Sequence, residues 1–303
     1  MDNIDIILKL TLATATPIAL GAYAGLFSER AGIVNIAIEG MMLTAAMFAG
    51  FVSGYTNSLF LGVLAGLFSG ALMAALHGII SIRFKTDQII SGMVINILAV
   101  GFTSHMYQIY LVPPRWPGSA GSFSPLEIPL LSQIPFFGEV FFKHQPIVYF
   151  MLIATPLIHY VLFYTPWGLR LRAVGEHPRA ADTLGINVQL TRYMNVIIGG
   201  LFAGLAGIWL SLEWVGTFTI GMTNGRGYIA LAALIFGRWT PFGAFGAALI
   251  FGLANAIQIR TQTLNPDIPA EFLQVLPHIL TILIASFSQS TPPAAVGQPY
   301  ETE

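Results

Sequence analysis

Long runs of apolar residues, separated by short polar connections, dominate the pattern of the chain. A helix needs roughly 20 apolar residues to cross a hydrocarbon core about 30 Å thick, and open strands are excluded there because their backbone groups go unpaired. The pattern predicts about nine helical spans, near residues 6–27, 33–53, 59–82, 87–110, 146–164, 192–214, 226–237, 243–259 and 272–289. The seventh segment is too short to cross alone, so we expect either a half-helix or a span completed by residues 215–225.

Composition indicates that lipid is the surrounding solvent. Of the 303 residues, 55% are hydrophobic and only 9% are charged, and the mean hydropathy is +0.73. A soluble domain carries about 25% charged residues. The net charge of −1 gives no electrostatic case for nucleic-acid binding, and the absence of cysteine excludes disulfides and thiol catalysis. We predict an all-α membrane protein, a polytopic helical bundle with about nine spans that include a broken or short segment.

Basic residues set the predicted orientation, because cytoplasmic loops carry an excess of lysine and arginine. In the nine-span pattern, the connections on one side hold Arg30, Arg83, Lys85, the arginines between 170 and 192, and Arg238. We assign this side to the cytoplasm. Nine spans then place the N-terminus outside and the C-terminus inside.

The polar stretches divide the chain as follows. Residues 1–289 are interpreted as a single transmembrane domain, in which the proline-, glycine- and serine-rich residues 111–145 form an external loop. Residues 165–191 are predicted to form a cytoplasmic loop with a helix over 179–184, where Pro178 occupies the first turn and Gly185 the C-terminal cap. Residues 290–303 are rich in proline and are predicted to be a disordered tail.

Amide and carboxyl groups inside predicted spans are costly, so each one is a functional hypothesis. Asn35 and Glu39 lie four residues apart and share one face of a helix. They either contact substrate or form an internal hydrogen-bond clamp that holds a break between half-helices. The clamp is favoured, because polar groups at membrane depth usually pair with each other. Asn96, deeper in the fourth segment, is a further candidate for the translocation pathway.

A glycine-rich, polar and aromatic stretch at residues 216–228 precedes the short seventh segment. Interrupted helices that line a cavity are where transporters bind or pass substrate. Aromatic faces and amides suit an uncharged ring that carries hydroxyl groups, so Thr217, Phe218 and Asn224 are candidates for lining the pathway. An external loop that re-enters only to satisfy its own backbone is an equally good interpretation.

The chain lacks the motifs of an enzyme or an ATPase. It contains no Gly-x-x-x-x-Gly-Lys-[Ser/Thr] phosphate loop, no His-Glu-x-x-His helix and no nucleophile elbow. We therefore expect no catalytic residues, no metal site and no cofactor in this chain.

Residues 27–43, 87–99 and 168–187 resemble bacterial ABC importer permeases of the ribose and branched-chain amino acid superfamily, and more narrowly its nucleoside-type branch. Residues 168–187 are similar to the cytoplasmic coupling segment with its Glu-Ala-Ala-x-x-x-Gly loop; Arg179 replaces the usual glutamate, and Ala180, Ala181 and Gly185 fit. Residues 27–43 and 87–99 resemble that superfamily and branch as well. The resemblance runs from about residue 10 to 289 and implies the fold of type II-like ABC importer permeases.

This resemblance also implies partners and a location. It implies a bacterial inner membrane, a second homologous permease subunit, cytoplasmic ATPase subunits that hold ATP and Mg²⁺, and an external substrate-binding lipoprotein. A short, rigid cytoplasmic helix can seat in a groove of the ATPase. For this role Ala180, Ala181 and Gly185 supply a small, cleanly stopped helix, and Arg179 and Asp182 supply rim contacts. An ordinary amphipathic connection is the alternative.

Several functions compete. The first is a permease that forms half of the pathway for purine or other nucleosides. The second, within the same family, is a permease for a simple sugar or a branched-chain amino acid. A self-sufficient secondary transporter or channel is the third; it would need buried ionisable residues for ion coupling, and Glu39 and Glu213 are few candidates for that.

Overall fold

The computed structural model describes residues 3–111, 119–264, 275, 279 and 291–301, and most of them are helical. The helices are α1 (Asn3–Arg30), α2 (Ile38–Thr56), α3 (Leu59–Gly78), α4 (Gln88–Tyr110), α5 (Phe137–Phe141), α6 (Pro146–Tyr164), α7 (Pro166–Glu176), α8 (Pro178–Thr183), α9 (Val188–Ile208), α10 (Arg226–Phe236) and α11 (Pro241–Leu264). A π-helical turn extends α3 over Ile79–Arg83 and another extends α9 over Trp209–Val215. A two-stranded antiparallel pair, β1 (Leu126–Glu127) and β2 (Lys143–His144), and a 3₁₀ turn at Leu131–Gln133 lie between α4 and α6.

Seven of these helices are long and apolar enough to cross a membrane: α1, α2, α3, α4, α6, α9 and α11. They match seven of the nine predicted segments. The predicted segment 226–237 is the 11-residue helix α10, and residues 216–225 before it are turns, so the half-helix alternative is confirmed. The predicted ninth span at 272–289 lies outside the described residues except for two single positions. The structure therefore supports seven spans and a half-helix, and not the full count of nine.

Helix α1 lies at the centre of the bundle and packs against α9, α10 and α11, while α2 packs against α3, α4 and α9. Helix α1 is apolar on all sides, and Ile18, Leu20 and Tyr23 on it are fully buried. Helices α3 and α4 are at least as apolar as α1 but leave large side chains such as Phe68 and Ile97 exposed. Hydrophobicity alone therefore does not distinguish a helix buried in the bundle from a helix that faces lipid, because lipid is as apolar as the protein interior.

Small residues bring α3 and α9 together, as their spacing predicts. A Cβ atom added at Gly70 would meet the carbonyl oxygen of Gly200 at 2.6 Å and the Cα atom of Gly204 at 2.9 Å. A larger side chain at this crossing would force the two backbones apart. Close backbone approach of this kind substitutes for hydrophobic driving force between helices in lipid.

The two ends of the bundle differ in charge. At one end, which we call the basic end, the Arg30 guanidinium donates two hydrogen bonds to the Trp239 carbonyl oxygen, at 3.0 and 2.7 Å. At the opposite end, Lys9 and Lys143 both contact Glu139, at 3.2 and 2.7 Å. The loops that carry Lys85, Arg192 and Arg238 also lie at the basic end. The sequence pattern predicted that these three residues share one side of the membrane.

The C-terminal segment differs from the sequence prediction. Residues 291–301, which we call the strap, are not a disordered tail but lie against the basic end. The Ala295 amide donates to the Gly175 carbonyl oxygen at 2.9 Å, and Ala295 and Tyr300 are buried. The strap is neither helix nor strand: two of its backbone amides donate within the strap, and those of Ala295 and Gly297 donate to Gly175 and Gly32, which are distant in sequence. That is why composition alone predicted disorder. Residues 290, 302 and 303 lie outside the described part of the chain.

Candidate functional site

The chain is not helical between α1 and α2, at residues 31–37, and side chains from α3 and α4 satisfy the freed backbone groups. The Val34 amide donates to Gln88 Oε1 at 2.7 Å, and His77 Nε2 lies 3.0 Å from the Val34 carbonyl oxygen. A carbonyl only accepts, so Nε2 carries the proton and Nδ1 accepts from the Ser91 hydroxyl at 2.9 Å. His77 is thus a packing residue whose two ring nitrogens both have hydrogen-bond partners. Irregular backbone is tolerated at membrane depth only with such partners.

Asn96 on α4 closes the end of this break. Its Oδ1 accepts from the Gly40 amide at 2.8 Å, and its Nδ2 donates to the Ile36 carbonyl oxygen at 3.0 Å. The same Nδ2 also donates to the Tyr228 hydroxyl at 3.0 Å. Asn96 lies eight residues into α4, which corresponds to a depth of about 12 Å from its start at Gln88.

Glu39, in the first turn of α2, joins the break at residues 31–37 to a second interruption, the non-helical residues 216–225 before α10. We call the contacts of Glu39 and Asn96 the clamp. Glu39 Oε1 accepts from the Gly225 amide at 2.8 Å and its Oε2 from the Gly227 amide at 2.7 Å. These amides belong to the first turn of α10, whose N-terminal dipole favours a carboxylate. The approach requires glycine, because a Cβ atom at position 227 would meet the Glu39 Cα atom at 2.6 Å. The predicted internal clamp between half-helices is confirmed for Glu39.

The half-helix α10 spans about half of a bilayer core. Its 11 residues rise about 16 Å, and it ends near Trp239 at the basic end. Residues 216–225 run from the opposite end, where the Ala120 amide donates to the Gly216 carbonyl oxygen, down to the clamp without helical structure. Residues 216–225 and α10 therefore connect the two ends of the bundle through a non-helical part followed by a half-helix.

The other predicted pathway residues have different environments. Asn35 is fully buried, and its Nδ2 donates to the Ser28 hydroxyl at 3.0 Å. Phe218 is only 2% exposed and packs on Met47 of α2, with its ring 6.0 Å from that of Tyr107. Thr217 is half-buried. Asn224 is exposed beside the clamp, with a positive φ of 45°. Asn35 lies in the first interruption, Glu39 and Asn96 bond to the ends of the interruptions from α2 and α4, and Asn224 lies at the clamp end of the second. Thr217 and Phe218 lie in the same second interruption, at its other end.

Tyr228 is the residue that the sequence analysis passed over. Its hydroxyl is held by Asn96, yet its side chain is 49% exposed beside the exposed Asn224. An aromatic ring fixed at one end and open on its face is suited to stacking against a planar ligand. The sequence feature that could have identified Tyr228 is its position in the first turn of the half-helix.

Residues 165–191 fold into α7, α8 and the start of α9. The predicted helix is confirmed: α8 begins at Pro178 and ends at Thr183, and Gly185 follows with a φ of +80°. Arg179, Ala180, Asp182 and Gly185 are exposed, whereas Ala181 is 2% exposed and packs on Val174, Val188 and Tyr300.

Two further features of α8 were not predicted. Asp182 accepts a hydrogen bond from the Tyr300 hydroxyl at 2.7 Å, so it is tied to the strap. This hydrogen bond raises the pKa of Tyr300 above its ordinary value. Leu184, directly after α8, is 80% exposed. In the described part of the chain, no three metal-ligating side chains come together.

Comparisons with known proteins agree with this architecture. The family model described as the branched-chain amino acid transport system / permease component matches residues 7–285. The guanosine ABC transporter permease protein NupQ of Bacillus subtilis is 40% identical over 98% of this chain and 97% of its own length. The nucleoside ABC transporter permease protein NupC of Lactococcus lactis is 34% identical over 99% of this chain and 98% of its own length.

Two other similarities bear on substrate and fold. A Haloferax volcanii protein named "Putative glucose ABC transporter permease protein TsgC13" is 33% identical over 98% of each chain. A solved structure described as an inward-facing conformation of "a putative metal-chelate type ABC transporter" superposes with a TM-score of 0.51 at 17% identity, over 94% of this chain and 85% of that one. That likeness supports the fold alone. The family match and the two nucleoside-type relatives confirm the resemblance drawn from residues 27–43, 87–99 and 168–187. The chain belongs to the permease-component family of branched-chain amino acid transport systems and is a multi-pass permease subunit of an ABC transporter.

Proposed function

We propose that this chain forms half of the translocation pathway of an ABC importer for nucleosides. The observation that carries the proposal is the pair of interruptions at residues 31–37 and 216–225, joined by Glu39 and Asn96 beside the exposed Tyr228 and Asn224. Two relatives that align over nearly the whole chain are named for guanosine and nucleoside transport. An open aromatic face and an amide suit a neutral base that carries a hydroxylated sugar.

In this proposal the clamp does not bind substrate. Glu39 is 8% exposed and both of its oxygens are used, and Asn96 is 6% exposed. Substrate passes on the open side, along residues 219–221, Asn224 and Tyr228, all of which are exposed. Asn35 and Phe218, which the sequence suggested as pathway candidates, then hold the scaffold and do not contact substrate.

A simple sugar is the second candidate substrate, favoured by the relative named for glucose. The test is uptake into proteoliposomes that contain the complete complex, with radiolabelled guanosine and competition by unlabelled adenosine, glucose and leucine. We expect ATP-dependent guanosine uptake that adenosine reduces and the other two do not. Uptake of glucose or leucine in place of guanosine would contradict the nucleoside proposal, and uptake without ATP would contradict the importer class.

Tyr228 separates stacking from hydrogen bonding in that assay. Tyr228→Phe keeps the ring and removes only one of the two acceptors of Asn96 Nδ2, so we expect transport close to normal. Tyr228→Ala removes the ring, and we expect uptake to fall by roughly tenfold or more, because stacking on a base is worth about 1–3 kcal/mol. Equal uptake by the two variants would exclude Tyr228 from the pathway.

We further propose that ATPase subunits dock on α8, that a second homologous permease completes the pathway, and that an external lipoprotein delivers substrate. Arg179, Ala180 and Leu184 are exposed on or next to α8 and available for an ATPase groove. Ala181 supports the helix from inside the chain and does not contact the partner. The basic end then faces the cytoplasm, which puts the N-terminus outside and the C-terminus inside.

A matched pair of leucines tests the docking surface. Leu184 is 80% exposed next to α8, and Leu130 is 81% exposed at the opposite end. Leu184→Asp should leave the bundle folded but abolish co-purification with the ATPase, because it puts a charge into an apolar contact. Leu130→Asp should co-purify normally. Normal co-purification of Leu184→Asp would contradict docking at this site.

The proposed orientation is testable because the chain has no cysteine. Single cysteines introduced as Ala180→Cys and Ser132→Cys lie at opposite ends of the bundle, and both positions are exposed or partly exposed. A membrane-impermeant thiol reagent applied to intact cells should label only the second. If the reagent labelled only Ala180→Cys, the topology would be the reverse of the proposed one.

A further inference from the structure

The strap reaches four separate parts of the basic end. The Gly297 amide donates to the Gly32 carbonyl oxygen at 3.3 Å, directly after α1, and the Ala294 amide donates to Glu176 Oε2 at 3.1 Å, at the end of α7. Glu301 pairs with Lys85 before α4 at 2.8 Å. Tyr300 reaches α8. A segment of 11 residues therefore touches the ends of elements that are far apart in sequence.

Arg192 fixes the strap to the start of α9. It is only 2% exposed; its Nε donates to the Ala31 carbonyl oxygen at 3.2 Å and its Nη1 to the Gln298 carbonyl oxygen at 3.1 Å. Its guanidinium carbon lies 5.9 Å from the centre of the Tyr300 ring. Among the described residues it has no carboxylate partner. A buried cation needs such compensation, so carbonyl oxygens and an aromatic face hold the strap in place.

Tyr300 connects this anchor to α8. Its hydroxyl donates to Asp182 Oδ2 at 2.7 Å, and its ring packs with Ala181, Val174 and Val188. Helix α8 has six residues, far below the length at which a helix is stable in water by itself. Its position therefore depends on its contacts. It packs on α7 and α9, and Tyr300 adds a link to Arg192 at the start of α9, which in turn donates to Ala31 directly after α1.

We propose that Tyr300 is a positioning residue for ATP-driven transport, which joins α8 to the bundle through Asp182 and the Arg192 anchor. A movement imposed on α8 then moves α1 and α9, which pack on the helices that carry the clamp. Without this connection the same movement is absorbed within the loop. The inference rests on the proposed role of α8 in contacting the ATPase.

The test uses the complete complex in proteoliposomes and compares wild type with Tyr300→Phe. Two quantities are measured: co-purification of the ATPase, and guanosine transported per ATP hydrolysed. We expect normal co-purification and a ratio lowered by about threefold or more, because a hydrogen bond to a charged acceptor strongly favours the docked strap. Glu301→Gln is the matched control. It removes an exposed ion pair of the same strap, and its ratio should be unchanged.

A double-mutant comparison isolates the contact. If Tyr300 acts through Asp182, adding Tyr300→Phe to Asp182→Ala should lower the ratio no further. A normal ratio in Tyr300→Phe, or fully additive losses, overturns the inference. Loss of the ATPase from Tyr300→Phe also overturns it, because the strap would then serve binding and not coupling. Failure of the wild-type chain to bind the ATPase would contradict the proposed function itself. A normal ratio of transport to ATP hydrolysis in an assembled Tyr300→Phe complex would contradict only the role of Tyr300.

Discussion

The clamp and the loop around α8 treat their polar groups in opposite ways. At the clamp, Glu39 and Asn96 are buried, and they make two and three hydrogen bonds to backbone or side-chain groups of other elements. On α8, Arg179 and Ala180 are exposed, and Asp182 has one contact to the strap. The polar groups of the clamp are paired with other groups of the same chain, whereas those of α8 are exposed and available to another subunit.

The surrounding solvent explains this difference. Inside lipid, each unpaired backbone group costs free energy, so a break in a helix must carry its own partners. In water the same groups are satisfied without the protein, which leaves side chains free to meet another subunit. Partial closure at α8 comes from its packing on α7 and α9, where Ala181 is buried against Val174, Val188 and Tyr300. Substitutions at the clamp should therefore affect folding, and substitutions on α8 should affect assembly and coupling.

The largest expected effect is at Glu39. Glu39→Ala leaves the half-buried amide of Gly225 and the buried amide of Gly227 without acceptors, and we expect the free energy of unfolding to fall by about 3 kcal/mol. Glu39→Gln retains one acceptor oxygen and should lose less. The measurement is unfolding in lipid bicelles, with Glu127→Ala as the matched control because Glu127 is exposed in β1. Equal stability of Glu39→Ala and Glu127→Ala would contradict the role assigned to the clamp.

A smaller effect separates two neighbouring alanines of α8. Ala181→Leu overfills the cluster with Val174, Val188 and Tyr300, so we expect a local cost of about 1–3 kcal/mol. Ala180→Leu adds the same atoms on an exposed face and should change stability little. Hydrogen exchange of residues 178–184 and 291–301 is the readout. Faster exchange in both variants, or in neither, would show that the two positions do not differ in burial.

Much of the fold follows from the sequence, because span length and apolar composition are fixed by the bilayer. The predicted segment 87–110 became α4 at Gln88–Tyr110, and the predicted segment 146–164 became α6 at Pro146–Tyr164. The clamp was also foreseen for Glu39, since a carboxylate in a span must find donors. The location of those donors, the amides of Gly225 and Gly227, was not predicted.

The remaining features depend on tertiary contacts that no local pattern encodes. Ala180 and Ala181 are identical in sequence terms, and only packing against Val174 and Tyr300 decides which is buried. Phe218 is aromatic in a polar stretch and was predicted to line the pathway, but it is buried against α2. The strap is held by backbone hydrogen bonds and Arg192, and neither leaves a periodic signature.

The smallest expected effect is at Glu139, an ion-paired carboxylate in water. Hydrogen bonds from Lys143 and Lys9 lower the pKa of Glu139 below its ordinary value. A lowered pKa means that its contribution is fully present above the ordinary glutamate pKa of about 4.3 and is lost as the pH falls through the lowered value. Glu139→Gln should therefore shift the melting temperature by less than about 3 °C at pH 7, because exposed ion pairs contribute little. Added salt should reduce the difference in melting temperature between the variant and the wild type, because salt screens the pair.

The measurement is the melting temperature in detergent at low and at high salt. A shift as large as that of Glu39→Ala would mean that an ion pair in water stabilises the bundle as much as a carboxylate in the membrane, and the contrast between the two solvents would not hold.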